Sequence, residues 1–271
     1  MSVKLGIFVA GANGKMGKNI IKLVMKDSSL ALVGASEHHD CPVQGADAGL
    51  NAGMQVASVT ISTDLERSLQ RQKGVVIDFS SPETTMNNLA RAVKYKTPIV
   101  IGTTGFSAEQ HKEIEVAGKS IPVILAPNMS VGMNLAFKLI ESAAKVLNDD
   151  YDIEVFEAHH RNKVDAPSGT ATRIAQVLCD ATGRNYPEDV RMHREGITGA
   201  RTKKEIGMQV LRGGDIVGEH IVFFCGEGER IEIKHVATRR TTFALGAIKA
   251  AKWLAGRDPG MYTMLDVLGL R

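Results

Sequence analysis

Leu5-Gly6-Ile7-Phe8-Val9-Ala10-Gly11-Ala12-Asn13-Gly14-Lys15-Met16-Gly17 is the stretch on which the fold turns. Its first half is a short apolar run without polar alternation, the pattern of a strand buried on both faces of a parallel sheet. Its second half spaces glycines as G-x-x-G-x-x-G, and beyond it Met16, Ile20, Leu23 and Val24 recur at helical spacing. Strand, glycine-rich turn and helix in this order open a dinucleotide-binding unit. The glycines let the backbone turn tightly and approach a pyrophosphate, and the helix N-terminus then faces that anion. The more usual spacing is G-x-G-x-x-G, so the turn taken alone also fits a βα loop without a ligand. A second apolar run, Leu30 to Ala35, leads to Glu37. That acid stands ~20 residues past the glycines, where a carboxylate accepts from the adenosine ribose hydroxyls.

The alternation of strand and helix continues. Val75 to Phe79, Pro98 to Ile101 and Val123 to Ala126 read as strands, and Ser81-Pro82-Glu83, Ser107 and Ser130 read as the helix starts that follow them. Repeated βα units predict a parallel sheet with right-handed crossovers, whose ligands bind at the carboxyl ends of the strands. The loops Gly11–Gly17, Gly102–Gly105 and Ala126–Met129 then share one rim. After about residue 150 the texture changes. Ile153 to Phe156, Gly207 to Arg212, Ile216 to Cys225 and Arg230 to Val236 read as strands, with Gly213-Gly214-Asp215 and Gly226-Glu227-Gly228 as turns joining the last three. The polar residues 183–206 read as a long loop, a lid or an interface arm. Thr242 to Leu254 is helical again and is expected to return to the first domain. The expectation is an α/β protein. A Rossmann-like parallel-sheet domain takes residues 1–130 and 240–271. A second α+β domain, with a mixed and mostly antiparallel sheet, takes residues 131–239.

Composition narrows the function. Lys and Arg total 33 against 30 acids, and they are scattered rather than gathered on one segment, so no nucleic-acid footprint is expected. The three cysteines, Cys41, Cys179 and Cys225, are odd in number and far apart. They point to a reducing compartment, the cytoplasm, rather than to a disulfide framework. The first residues do not read as a signal peptide, and no apolar run approaches the ~20 residues that span a membrane.

The chemistry is concentrated in Glu157-Ala158-His159-His160-Arg161-Asn162-Lys163-Val164-Asp165-Ala166-Pro167-Ser168-Gly169-Thr170-Ala171. Pro167-Ser168 reads as a helix start with Ser168 as N-cap. The N–H groups of Gly169 and Thr170 then point outward as an anion site, beside the charges of Arg161 and Lys163. His159 or His160 moves a proton near neutral pH, since imidazole titrates near ~6.5. Adjacent histidines also occur as plain polar strand ends. Here proton donor, cations and anion turn converge in one loop, which fits a substrate with carboxylates and a site to protonate. No His-Glu-x-x-His or Cys-x-x-Cys is present, so no metal is expected.

These motifs resemble the 4-hydroxy-tetrahydrodipicolinate reductase family of bacterial lysine and diaminopimelate synthesis, almost end to end. The Glu157–Thr170 stretch carries most of the likeness, supported by Gly102-Thr103-Thr104-Gly105-Phe106, by Gly214-Asp215-Ile216-Val217-Gly218-Glu219-His220 and by the glycine turn. The resemblance implies that His159 is the catalytic proton donor and Lys163 its cationic partner. It implies that His160, Lys163, Ser168, Gly169, Thr170 and Thr104 bind the substrate. It places the nicotinamide cofactor, NADH or NADPH, on Gly11, Ala12, Asn13, Gly14, Lys15, Met16, Glu37, His38, Gly102, Thr103, Thr104, Ala126, Pro127, Asn128 and Met129. A homotetramer built by the second sheet is implied as well. Family members often place an arginine directly after the ribose acid, where this chain has His38 and His39, so Lys15 is the permanent cation nearest a ribose phosphate. Two alternatives compete. One is an aspartate-semialdehyde or homoserine dehydrogenase, of which the former needs a cysteine motif that is missing. The other is a dinucleotide-sensing protein, which needs neither His159 nor Lys163.

Overall fold

β1 (Leu5–Ala10) is buried along almost its whole length, because both of its faces are covered. The structure, a computed structural model, describes residues 3–271. The chain forms two units, one running to Val131 and resuming over Thr241–Arg271, the other Gly132–Arg240.

After β1 the first unit continues through α1 (Lys15–Lys26), β2 (Leu30–Ser36), α2 (Ala48–Asn51), β3 (Ile61–Ser62), α3 (Glu66–Arg71), β4 (Val75–Asp78), α4 (Pro82–Lys94), β5 (Ile99–Ile101), α5 (Ala108–Gly118) and β6 (Pro122–Leu125). α6 (Val131–Leu147), β7 (Asp152–His159), α7 (Gly169–Thr182), β8 (Val190–Arg191), β9 (Ile206–Arg212), β10 (Gly218–Cys225) and β11 (Arg230–Ala237) follow, and then α8 (Thr241–Leu254), β12 (Gly260–Tyr262) and α9 (Met264–Leu268) complete the first unit.

The first sheet has the order β12-β6-β5-β4-β1-β2-β3, and every pairing is parallel. Successive strand residues point to opposite faces. Ile7, Val9, Ile77, Val100 and Ile124 therefore pack with α1 and α8, while Phe8, Val76, Ile99, Ile101 and Val123 pack with Leu89 of α4 and Ile114 of α5. That two-sided burial is why the strands read as unbroken apolar runs. The helix starts behave as their residues dictate: Ser81 accepts from the Thr84 N–H ahead of Pro82, and Ser107 forms a capping box with Gln110. In the glycine turn two positions need glycine. Gly11 has φ +77°, and a Cβ on Gly17 would lie 2.1 Å from the Gly11 carbonyl oxygen. The turn is thereby tucked under the first helical turn of α1. The elements that periodicity did not disclose, α2, β3, α3, β8, β12 and α9, are two to six residues long, too short to show a period; β8 lies within the segment 183–206 that was expected to be loop throughout.

The second sheet has the order β11-β10-β7-β9-β8, with β7 and β11 antiparallel to β10 and with β9 parallel to both β7 and β8. This corrects the expected run of three consecutive antiparallel strands. β10 and β11 do form a hairpin, but β9 is not a neighbour of β10, because β7 lies between them. The glycine pair explains why. Gly213 N–H donates to the His159 carbonyl and the Gly214 carbonyl accepts from Arg161 N–H, so residues 213–214 bond the end of β7 instead of closing a hairpin. The chain crosses β7 over the next residues, and β10 begins at Gly218 rather than at Ile216. α6 and α7 cover one face of this sheet, burying Val155, Met208, Val222 and Phe224 with Phe137, Ile140, Ile174 and Leu178. The long polar segment is anchored at both roots. Arg194 bonds Glu154 and Glu205, Arg201 bonds Asp152 and the Ile153 carbonyl, and residues 195–200 are exposed.

Candidate active site

β7 points Glu157 and His159 to the same face, two residues apart. Glu157 is fully buried and its carboxylate accepts four hydrogen bonds. Oε2 accepts from His159 Nδ1 at 2.5 Å and from Arg212 Nη1 at 3.0 Å; Oε1 accepts from Arg212 Nη2 at 2.8 Å and from Ser168 N–H at 3.0 Å. Burial by itself would raise the Glu157 carboxyl, but hydrogen bonds from His159, Arg212 and Ser168 overrule it and hold the group down at about 2. Arg212 reaches this carboxylate because β9 sets it beside His159 in register, and its Nη2 also donates to the Asp165 carbonyl.

His220 completes the cluster. The alternation of β10 turns it inward with Val222 and Phe224, and its ring meets that of His159 edge-on, centroids 5.2 Å apart. Its Nε2 lies 3.2 Å from Ser168 Oγ. Burial, and next the neighbouring His159, lower its value from 6.5 to about 3, so it stays neutral through the physiological range.

The helix start at Ser168 forms as its residues suggest. Ser168 Oγ caps α7 by accepting from the Ala171 N–H. Gly169 is exposed at the helix start and Thr170 is half-buried. Lys163 reaches Asp165, 2.8 Å away, and is largely shielded from solvent. His159, His160, Lys163, Ser168, Gly169 and Thr170 all belong to the second unit, whereas Thr104 belongs to the first and is exposed there.

In the first unit the strands all run one way, so Gly11–Met16, Glu37–His38, Gly102–Thr104 and Ala126–Met129 emerge at the same carboxyl edge. These residues fit a dinucleotide. No side chain caps α1 and no acid stands in its first turn, which leaves the leading N–H groups at Lys15 and Met16 for a phosphate. Glu37 is held in place by the Asn13 and His38 N–H groups, at 2.9 and 3.1 Å. Its oxygens retain lone pairs for ribose hydroxyls. His38 and His39 are exposed, and His39 faces Asp40 at 3.1 Å.

Glu157, His159 and His220 also form a group at metal-ligand spacing. The Arg212 guanidinium already lies against both Glu157 oxygens and opposes a dication there. Four residues that shape the sites, Glu157, Arg212, His220 and Asp78, carry no role in the expectations drawn from the sequence. Arg212 and His220 are visible in hindsight as the last polar residue of an apolar strand and as an inward position of an alternating one. Asp78, buried at the end of β4, accepts from Ser80 N–H, Ser80 Oγ, Thr85, Asn88 and Thr103, and so fixes the Gly102–Thr104 loop; its signal was an acid closing the run Val75-Val76-Ile77.

A parallel sheet with a glycine turn and a carboxylate at its carboxyl edge, together with a histidine beside a helix start, suits a pyridine-nucleotide reductase of an anionic substrate. Comparison with known proteins specifies which. Residues 5–129 and 132–268 match the family models described as dihydrodipicolinate reductase, N-terminus and C-terminus. The 4-hydroxy-tetrahydrodipicolinate reductases of Syntrophotalea carbinolica and Geotalea uraniireducens are 51% and 50% identical over 265 residues, covering 98% of this chain and 99% of each relative. A dipicolinate-bound dihydrodipicolinate reductase from Paenisporosarcina sp. TG-14 superposes with a TM-score of 0.77 at 25% identity, over 97% of this chain and 99% of that one. The chain belongs to the dihydrodipicolinate reductase family. It is an oxidoreductase of lysine synthesis through diaminopimelate, and it reduces 4-hydroxy-tetrahydrodipicolinate with NADH or NADPH.

The buried neutral His220 makes stability depend on pH. The unfolded chain takes up a proton near 6.5 and the folded chain only near 3, so stability falls as pH drops through that window. The slope is about 1.4 kcal/mol per pH unit. Glu157 adds its own loss only below its ordinary value of 4.5. Urea unfolding at fixed protein concentration should show the protein weakening by about 2 kcal/mol between pH 6.5 and pH 5. In His220→Gln most of that slope should vanish, with a remainder from His235, which burial also lowers. An unchanged slope in the variant would mean that His220 is not the group responsible.

Proposed function

We propose that the second unit binds the cyclic dicarboxylate and supplies its proton, and that the first unit binds the nicotinamide cofactor. The observation that carries this reading is the His159–Glu157 pair set beside the Ser168–Thr170 helix start and Lys163. In the overall reaction one hydride and one proton enter the ring and water leaves. The bound nicotinamide supplies the hydride. His159 donates the proton from Nε2, since Nδ1 is committed to Glu157. Lys163 exchanges Asp165 for a substrate carboxylate, and the N–H groups at the start of α7 take a carboxylate as well, so the ring is held in one orientation. His160 and Thr104 contribute further polar contacts to the substrate. The dipicolinate in the Paenisporosarcina protein supports a planar diacid as the occupant.

We also assign a homotetramer, formed through the second sheet. β10 is an inner strand, so the apolar run Ile221–Cys225 is not at an open edge; the face away from α6 and α7 carries Ile221, Phe223 and Phe156 with exposed Leu211 and Val236. A face of that kind calls for a partner. With its three free cysteines the enzyme belongs in the cytoplasm, where cell fractionation should find it.

Three outcomes test these assignments. First, His159→Gln should lower turnover by ~10²-fold or more with little change in NADH affinity. Lys163→Ala should weaken inhibition by pyridine-2,6-dicarboxylate by ~10-fold or more, as loss of a charge-assisted bond implies. Retained turnover or unchanged inhibition would refute the pose. Second, light scattering at micromolar concentration should give four times the 29.2 kDa chain mass, and a stable monomer would remove the interface. Third, Glu37 disfavours a ribose phosphate by like charge, and Lys15, exposed at the start of α1, is the permanent cation to offset it. At pH 8 NADH should serve as well as NADPH or better, and Lys15→Ala should reduce kcat/KM for NADPH more than for NADH. A strong NADPH preference at pH 8 that survives Lys15→Ala would misplace the phosphate site.

A further inference from the structure

The geometry points to Glu157 as the positioning residue of the reaction: it fixes the His159 ring so that Nε2 alone exchanges the proton, and it ties that ring to the substrate-carboxylate turn through the Ser168 N–H. This rests on the reading of His159 as the proton donor. Glu157 is not itself a donor. All four of its close contacts are donors to it, and it is closed to solvent.

Three observations carry the assignment. First, Nδ1 lies 2.5 Å from an oxygen of an ionised carboxylate, so Nδ1 keeps its hydrogen in both charge states of the ring. When the ring is neutral, the lone pair is then on Nε2; when it is charged, Nε2 is the nitrogen that can give its proton away. Second, room is kept for Nε2. Gly218 starts the strand opposite, and a Cβ there would come within 3.0 Å of Nε2, closer than to any other atom. Third, the carboxylate cannot drift. Arg212 grips both oxygens in fork geometry and is itself fastened to the carbonyl of Asp165. One buried charge thus aligns the acid, the loop bearing Lys163 and the N-cap of α7. An imidazole without it would be free to rotate and to adopt the other tautomer.

The test is kinetic, on the full-length enzyme. The charged and titratable groups around the ring are Glu157 on β7, Arg212 on β9, His220 on β10, and Lys163 and Asp165 on the loop. Glu157→Gln keeps the shape and removes the charge. Its kcat should fall ~10²-fold or more while KM for NADH changes less than ~3-fold. The basic limb of its kcat profile should move to lower pH, because the imidazolium loses its negative neighbour. The variant also strands the Arg212 charge. Glu157→Gln/Arg212→Gln therefore serves as a second arm: with the net charge of the site restored, kcat should stay low while the basic limb returns close to that of wild type. If a folded Glu157→Gln keeps kcat within ~3-fold and leaves the profile unmoved, or, where the single variant does not fold, the double variant keeps kcat within ~3-fold, Glu157 is only structural and the proposal fails. His159→Gln, assayed alongside, separates the two ideas. Retained activity in that variant would overturn the proton-donor reading itself, whatever Glu157 does.

Discussion

A carboxylate taken out of water is costly unless it is both paired and fully hydrogen-bonded. Glu157 meets that condition with donors from three separate elements, and the second unit is arranged around it. β7 supplies the carboxylate and His159, β9 supplies Arg212, and the residue before α7 supplies the Ser168 N–H. The Arg212 contact forms only because β9 pairs with β7 in the observed register, and β10 on the other side of β7 brings His220 against the same cluster. Residues 213–214 bond the end of β7 and the chain crosses it before Gly218, which replaces the expected hairpin and gives β7 its central position. Removing one partner would leave a buried charge uncompensated, at about 3–5 kcal/mol, so the site and the fold of this unit are not separable.

The first unit shows the same device in another setting. Asp78 closes β4, and its five donors come from the Ser80 turn, from α4 and from Thr103. The effect is to stiffen the carboxyl edge of the sheet where the cofactor loops emerge. In both units a short polar element at the end of an apolar strand organises loops that would otherwise be free to move, and rigid supporting groups of this kind keep a site in productive geometry.

Much of this was legible in the residues. Unbroken apolar runs disclosed a sheet covered on both faces, serines ahead of helices marked their starts, and the Gly11–Gly17 turn with Glu37 identified the dinucleotide unit. The loop from Glu157 to Thr170 stood out because paired imidazoles, cations and a helix cap rarely coincide. The rest was hidden for physical reasons. Pairing order is a non-local property, so nothing in Gly207–Cys225 told that β9 would lie beside β7 and not β10. Arg212 and His220 reach the cluster only through that register. The 38–74 segment folds into pieces of two to six residues, tied by irregular bonds such as those that the Asp47 carboxylate accepts from the Leu50 and Ala57 N–H groups, and such pieces have no period to read.

The roles of Glu157, His159 and Lys163 all turn on where a diacid sits relative to the His159 ring. A crystal structure of this protein with pyridine-2,6-dicarboxylate tests that most directly. It should show one carboxylate against Lys163 and the N–H groups at the start of α7, with His159 Nε2 within hydrogen-bond reach of the ring and Nδ1 still on Glu157. A diacid bound away from the Ser168–Thr170 turn, or a His159 ring turned so that Nε2 faces Glu157, would contradict it.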